Sequence, residues 1–291
     1  MGISQVEIGS LLNKHDPLIL EIGAHYGSDT RRFLEVFSDI RIYSFEPDPR
    51  CIEEFRRRVK SDRSTLVEAA VSCFDGVASL NLSGGWPVKV PRLVRNLGLR
   101  RLYTRIVLMC RARLGVGIQD QWTGSSSIKK SLSHSKQWPW LSFDKAVKVR
   151  VIQLDTWAEK NGIDVIDFIW MDVQGAERDV IQGGVSALKR TKYVFVEYGA
   201  TSAYPDAMNR DETIQIFEDY GFELVPEYSD KKKVGNLLLR KGAAIPNRHG
   251  FPKQKQDEAK EEGSGANGAS LRLPGNNGGI TGSDLSIFFK D

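Results

Sequence analysis

Residues 18–30 read LILEIGAHYGSDT. Leu18, Ile19, Leu20 and Ile22 form a continuous apolar run, the pattern of a strand covered on both faces. Glu21 lies near the end of that run, where a carboxylate is costly to bury without a partner. Gly23 and Gly27 follow, and Arg31 to Asp39 read as a helix that Ser28 or Asp29 caps. Strand, acid, glycine turn and helix in this order open a nucleotide-type α/β site. The spacing is Glu-x-Gly-x-x-x-Gly, not the Gly-x-Gly-x-x-Gly that brings backbone against a pyrophosphate. It suits a phosphate-free ligand such as S-adenosylmethionine, which needs a gap for its methionine half and an acceptor for its ammonium. Glu21 is placed to be that acceptor. Alone, the stretch is equally compatible with a tight turn between core elements.

The same organisation returns downstream. Arg41 to Phe45 is a second strand, ending in Glu46-Pro47-Asp48-Pro49. An acid at the tip of the second strand, about 20 residues past the glycine turn, is where such folds hold a ribose diol. Asp48 is the better cap for the following helix, Arg50 to Val59. Ser64 to Ser72 reads as a third strand, Ala78 to Leu82 as a short one and Lys148 to Leu154 as another. Asp155 is expected to cap a helix over Thr156–Asn161. Val165 to Met171 is a buried strand ending in Asp172, followed by Val-Gln-Gly-Ala-Glu and a helix over Ala176–Gln182. Tyr193 to Val196 ends in Glu197. After a helix over Asp211–Tyr220, Phe222–Tyr228 and Val234–Arg240 form a terminal hairpin. Glu21, Glu46, Asp172 and Glu197 thus share the carboxyl edge of the sheet, the edge where open α/β sheets bind ligands.

Of the 291 residues, 41% are hydrophobic and 27% charged, the balance of a soluble globular protein. The three cysteines have neither metal nor disulfide spacing, which fits a reducing, cytoplasmic setting. The N-terminus has no apolar core for a signal peptide, and Val6 stands where a myristoylation signal needs Ser or Thr. The net charge of +4 is unevenly placed. From Gly76 to Gln119 there is no acid, and Lys89, Arg92, Arg95, Arg100, Arg101, Arg105, Arg111 and Arg113 make that segment +8, leaving 4 − 8 = −4 for the rest. Most of this basic stretch falls in an insertion from Gly84 to about Trp122. Within it Arg92 to Leu114 has a helical pattern, with Leu99, Leu102, Tyr103, Ile106 and Cys110 on one arc and Arg100, Arg101, Arg105 and Arg111 roughly opposite. Such a helix is read as a lid with a solvated basic face, as one that lies on an anionic membrane surface, or as one that grips an acidic ligand such as an anionic acceptor. TGSSS at Thr123–Ser127 reads as a flexible polar loop, and Trp138-Pro139-Trp140 as an aromatic loop that stacks on a sugar ring or covers the core. Residues 1–241 are expected to be one domain, and 242–291, rich in Gly, Asn, Ser and charged residues, a disordered tail.

Taken together, LEIGAHYGSDT, YSFEPDP, AAVSCFDG, GSSSI, VIQLDTW, WMDVQGAE and VEY, in that order, resemble the FkbM family of S-adenosylmethionine-dependent methyltransferases. The resemblance runs from about Pro17 to Lys241 without the insertion, and VIQLDTW and WMDVQGAE are its most specific marks. It implies an α/β, class I (Rossmann-like) fold with a mostly parallel seven-stranded sheet and a terminal antiparallel hairpin. It implies S-adenosylmethionine as cofactor, its methionine part held by Glu21, Gly23 and Gly27, with Ala24 and Tyr26 between them. Glu46 with Pro47 would hold the ribose, and Ala70 would border the adenine. Asp172, which also reaches the cofactor, would form the acidic side of the reaction centre with Glu177 and Glu197. Asp172, Glu197 and His25 are the catalytic candidates, although the family usually has Asn where this chain has His25. Ser126, Trp138, Glu177, Arg101 and Arg105 are the candidates for contact with the acceptor.

The family methylates hydroxyl groups on sugars, glycolipids or polyketides, so the resemblance implies O-methylation of a saccharide or lipid-linked glycan. Two other readings stand beside it: an NAD-type oxidoreductase, disfavoured by the glycine spacing and the hairpin, and a non-catalytic module that binds through the basic helix. Nucleic acid is not expected, and a homo-oligomer is compatible with the sequence. Asp172 and Glu197 offer oxygens suited to Mg²⁺, which is not favoured, and no His or Cys set suits zinc.

Overall fold

The apolar run at the start of LILEIG forms β1 (Leu18–Ile22), and all five of its residues are buried. The computed structural model describes residues 3–85, 91–113, 122–130, 140–199, 204 and 206–242. Trp138 and the expected tail beyond Gly242 lie outside the described residues, as does the side chain of Arg101. Parallel strands β2 (Arg41–Phe45) and β7 (Ile166–Met171) flank β1. Beyond β2 lies β3 (Ser64–Val67); beyond β7 lie β8 (Thr191–Tyr198), β10 (Gly235–Lys241) and β9 (Phe222–Leu224). The seven-stranded order is β3-β2-β1-β7-β8-β10-β9, with β10 antiparallel to both neighbours. This is the mostly parallel sheet with a terminal antiparallel hairpin that the resemblance implied. The chain order reverses between β1 and β7, which puts the ligand crevice beside Gly23 and Asp172.

Alternation along the strands divides the core into two layers. Leu18, Leu20 and Ile22 face one layer with Ile169, Met171, Trp157, Val180 and Phe217. Ile19, Ile42, Phe168 and Trp170 face the other, covered by Ile8, Phe33 and Phe37. Helix α1 (Gln5–Leu12) begins with a reciprocal capping box between Ser4 and Glu7 and ends before Pro17. Helix α2 (Ser28–Val36) starts from Gly27, which stands at φ +76, and not from a side-chain cap by Ser28 or Asp29. Asp48 does cap α3 (Pro49–Arg58), accepting the Arg50 N–H at 3.0 Å.

Several expected elements are rearranged. The third strand breaks after Val67: Ala70–Val71 (β4) leaves the large sheet and pairs with β6 (Leu141–Ile152), which also pairs with β5 (Gly76–Gly85). These three strands form a second, smaller sheet. The long helix of the insertion is interrupted by Gly98 at φ +70, giving α4 (Arg92–Asn96) and α5 (Arg100–Arg113). The strand expected to Tyr228 stops at Leu224, because Pro226 has no N–H for the ladder and opens a 3₁₀ turn, Pro226–Tyr228. Asp155 lies within the first turn of α6 (Leu154–Lys160), whose N-cap is Gln153. After α7 (Glu177–Gly183) comes α8 (Val185–Lys189), and the Asp155 carboxylate accepts the Ser186 and Ala187 N–H groups of α8 at 2.9 and 2.7 Å. It therefore caps a helix that packs beside its own. The next helix, α9 (Arg210–Asp219), opens on a second capping box, between Asn209 and Glu212.

At the amino edge of the sheet Asp167, 2% exposed, accepts the Leu18 N–H at 2.9 Å, Lys14 Nζ at 2.9 Å and Lys192 Nζ at 2.8 Å. One carboxylate thus ties β1, β7 and β8. Burial by itself raises its pKa, but Lys192, the Leu18 amide and Lys14 together hold it below the usual carboxylate value. Its stabilising effect is present above the unfolded carboxylate pKa and is lost as pH falls through the depressed folded value. Replacing Asp167 with Ala leaves the Leu18 N–H without this acceptor, while the part-exposed lysines lose little. Urea denaturation at neutral pH should show a loss of about 1–3 kcal/mol. The gap between wild type and variant should shrink in strong acid.

Candidate functional site

At the carboxyl edge of β1, β2 and β7 lies a cavity of about 260 Å³. Its walls include Gly23, His25, Tyr26, Glu46, Pro47, Ala70, Ser126 and Asp172 from the sequence-derived candidates. Ala24, Gly27, Glu21, Glu177 and Glu197 are not in its lining. Arg105 is exposed on α5.

Gly23 stands at φ +93, and a Cβ there would sit 1.9 Å from the Asp172 carbonyl oxygen. The glycine is needed so that the loop after β1 can lie against the end of β7. Gly27 has a different reason: a Cβ would strike Phe55 and Val59 of the neighbouring α3 segment at 2.5–2.8 Å. The expected gap for a ligand is therefore not made by both glycines; Gly27 serves helix packing. Glu21, 1% exposed, accepts hydrogen bonds from the Thr30 hydroxyl and, at 3.1 Å, from the Ser44 hydroxyl. It stands behind the cavity wall instead of at the surface where an ammonium would meet it.

Glu46 is 7% exposed and lines the cavity. Its Oε2 accepts the His25 N–H at 2.7 Å and its Oε1 accepts the Asp48 N–H at 2.8 Å. The two amides fix the carboxylate, whose oxygens are acceptors of the kind a ligand hydroxyl needs. His25 itself is at φ +50. Its Nε2 is 2.6 Å from the Thr123 hydroxyl, which donates to Tyr26 Oη at 2.8 Å. A hydroxyl has one proton, so His25 donates through Nε2. The ring also lies 3.8 Å from the Tyr26 ring. His25 thus joins the loop after β1 to the returning end of the insertion.

That returning end is not the flexible loop expected from TGSSS. Thr123, Ser125 and Ser127 are buried, and Asn81 and Ser127 exchange backbone bonds. The Ser126 hydroxyl donates to Asp48 Oδ2 at 2.9 Å and lies near Arg50 and Ser83, so a candidate for acceptor contact is occupied in a clip between the two sheets. Arg50 completes the clip with an ion pair to Asp48 at 2.7 Å and a bond to the Ser83 carbonyl at 3.0 Å. Trp140 is buried edge-on against Trp122, which lines the cavity.

On the opposite wall Asp172 accepts Gln174 Nε2 at 2.7 Å, and the same nitrogen donates to Glu197 Oε2 at 3.1 Å. Gln174, at φ +53, is 9% exposed and lines the cavity; its Oε1 is buried with no hydrogen-bond partner. The two carboxylates fix the amide orientation, because the reverse would set oxygen against oxygen. Glu177 is fully enclosed, accepts the Gly175 N–H at 3.1 Å, and has its pKa raised to about 7 by burial first and by the Asp172 charge among lesser causes. Tyr204 donates to the Ser125 carbonyl at 2.6 Å, and burial, then Glu197, Glu177 and Asp172, push its phenol well above the usual value. The structure therefore brings Asp172, Glu197 and Glu177 together, and adds Gln174, Tyr204 and Thr123. Only Gln174 carried a signal in the sequence, through its place beside Asp172 in the glycine turn; Tyr204 and Thr123 reach the site by folding alone. Among the described residues, no group of three or more His, Cys, Asp or Glu is placed to hold a metal ion.

The donor set fits S-adenosylmethionine. Glu46 offers a diol acceptor, Phe45, Ala69, Ala70, Val71, Leu80 and Ile128 offer an apolar wall for a base, and Asp172 offers a carboxylate for a cationic head. The Methyltransferase FkbM domain matches residues 21–224. The chain is 33% identical over 235 residues to 2-O-methyltransferase NoeI of Sinorhizobium fredii, covering 80% of this chain and 83% of that protein. Among solved structures it is similar to an rRNA methylase from Streptococcus thermophilus (TM-score 0.40, 8% identity, 82% and 94% of the two chains). It is also similar to Streptococcus pneumoniae Sp1610, a putative tRNA (m1A22) methyltransferase in complex with S-adenosyl-L-methionine (TM-score 0.39, 10% identity, 85% and 77%). With the Methyltransferase FkbM domain matching most of its length, the cavity included, the chain belongs to the FkbM family of S-adenosylmethionine-dependent methyltransferases.

Proposed function

We propose that this methyltransferase acts on oxygen, and that its acceptor is a hydroxyl of a saccharide, free or lipid-linked. The observation that carries the reading is the Asp172–Gln174–Glu197 triplet beside the cavity. An alcohol is a weak nucleophile, so its oxygen gains from a positioned proton acceptor as it attacks. Asp172 lines the cavity and Gln174 orients its carboxylate, the kind of group that accepts such a proton. The orphaned Gln174 Oε1 is a second acceptor, suited to a neighbouring hydroxyl of a polyol. The name of the 2-O-methyltransferase relative supports attack through a hydroxyl oxygen.

When bound, the cofactor supplies an electrophilic methyl group on a sulfonium. The chain's own part is to orient and to hold protons. Glu46, fixed by two backbone amides, orients the ribose end. Asp172 holds the acceptor hydroxyl and takes its proton, while Gln174 keeps the carboxylate from turning. Glu177 keeps a proton up to about pH 7 and so leaves the role of base to Asp172. His25 is a positioning residue in this scheme: its ring is committed to Thr123 and holds the rim. The domain is proposed to run from the N-terminus to about Lys241, and a cytoplasmic setting goes with this cofactor. The direct test is transfer of labelled methyl groups from S-adenosylmethionine to a panel of saccharides, with matched amines and nucleosides alongside. Labelling confined to amines or nucleosides would refute the proposal.

Three outcomes follow for variants. Removing the Glu46 carboxylate with Glu46→Ala takes away a charged acceptor worth about 1.5–3 kcal/mol, so calorimetry should show S-adenosylmethionine affinity at least about tenfold weaker. Asp172→Asn should lower kcat about 100-fold or more, and weaken cofactor binding as well because Asp172 also faces the cationic head; a large fall in melting temperature with normal turnover per folded molecule would make Asp172 structural. Glu177 is raised in the fold, so its protonated form is stabilising below the unfolded carboxylate pKa, and that stability is lost as pH rises to about 7. Thermal melts of Glu177→Gln, which keeps an acceptor for Gly175, should decline less than wild type between acid and mildly alkaline pH.

A further inference from the structure

We infer that α4 and α5 form a docking surface for an anionic lipid bilayer, lying along it and not crossing it. The helical insertion presents its apolar arc outward. Leu99, Leu102, Ile106 and Met109, spaced three, four and three residues apart, are 47%, 55%, 50% and 51% exposed. That spacing places them in one stripe on one helix face. Thr104, on the far side of α5, is buried. Leu93 and Leu97, 71% and 63% exposed, continue the apolar surface onto α4. The stripe turned to solvent is thus apolar, and Arg105, also exposed, stands beside it. None of the described core clusters draws a residue from either helix.

Charge selects the occupant. The segment Gly76–Gln119 has eight bases and no acid. A second copy would bring two such segments together, and their repulsion opposes pairing. Nucleic acid would satisfy the bases but leave the leucine stripe in water, since its affinity comes from phosphate contacts. A bilayer with acidic headgroups satisfies both, with the stripe in the headgroup–acyl boundary and the bases among the phosphates. Helix α5 has 14 residues, about 21 Å at 1.5 Å per residue, too short for the roughly 30 Å of hydrocarbon. Among the described residues no helix is long and apolar enough to cross a membrane. The insertion returns through Trp122, Thr123, Gly124 and Ser126, all in the cavity wall. Docking therefore brings the cavity rim to the lipid surface, where a lipid-linked acceptor presents its sugar; this last clause rests on the proposed function, whereas the docking itself does not.

The experiment is sedimentation of the full chain with vesicles of phosphatidylcholine alone or mixed with phosphatidylglycerol, without cofactor or acceptor. The protein should pellet with the mixed vesicles only, and less so as salt rises, because exposed charges are screened over roughly 8 Å at physiological ionic strength. Leu102→Ser, Ile106→Ser and Met109→Ser combined should weaken partitioning about tenfold or more, with melting temperature and S-adenosylmethionine affinity unchanged. A gain of signal guards against a disrupted helix: Ile106→Trp fluorescence should shift to the blue on mixed vesicles and be quenched by brominated lipid. Protein that stays in the supernatant with both vesicles overturns the inference, as does a serine variant that partitions like wild type. So does a serine variant that converts an oligomer to a monomer while the parent ignores vesicles. Methyl transfer is not read, so loss of the sugar assignment would leave the result standing.

Discussion

The loop after β1 touches the end of β7 so closely that no side chain fits between them. Gly23 lies against the Asp172 carbonyl, and the Asp172 N–H donates to the Ile22 carbonyl at 2.9 Å. This contact holds the crevice at the point where the strand order reverses. From it the cavity extends one way to Glu46, through the His25 amide, and the other way to Glu197, through Gln174. A side chain at position 23 would push the two strand ends apart and carry both carboxylates with them.

The acids of the site are held by neutral donors. Backbone amides fix Glu46, and a side-chain amide joins Asp172 to Glu197. These donors fix the carboxylates beside a partly enclosed cavity, where attraction is stronger than in water. A cavity edged by acids favours a cationic ligand and a hydroxyl oxygen that gains positive character as it forms a new bond, before its proton is taken. Burial first, and the neighbouring acids after it, raise the pKa values of Glu177 and Tyr204. Gln174 sets two donor hydrogens between Asp172 and Glu197.

The second sheet and the insertion are bound to this centre by one polar clip. Asp48 caps α3, pairs with Arg50 and accepts from Ser126, while Arg50 reaches the Ser83 carbonyl. The strand that enters the insertion and the loop that leaves it are both pinned beside Glu46. The insertion is therefore anchored at its two ends, and no residue of α4 or α5 enters the described core clusters. A basic element held at the rim can influence what approaches the cavity without changing how the cofactor is held.

The sheet was legible in the sequence because buried parallel strands read as short apolar runs and each ends in an acid or glycine at the ligand edge. Glu46 and Asp172 could be placed at the site for the same reason, and Asp48 as a cap from the prolines around it. Direction was not legible. Whether Glu21 faces the cavity or Thr30, whether Gly27 serves a ligand or Phe55, and which helix Asp155 caps are set by neighbours distant in sequence. Thr123 and Tyr204 enter the site across separations of 98 residues to His25 and 79 residues to Ser125, beyond any local spacing rule. The arc of α5 could be drawn from its periodicity, but periodicity fixes only that one face is apolar. The sequence determined the strands, their carboxyl-edge acids and the charge of the insertion; only tertiary packing decided where those side chains point, because orientation depends on what the chain brings opposite them.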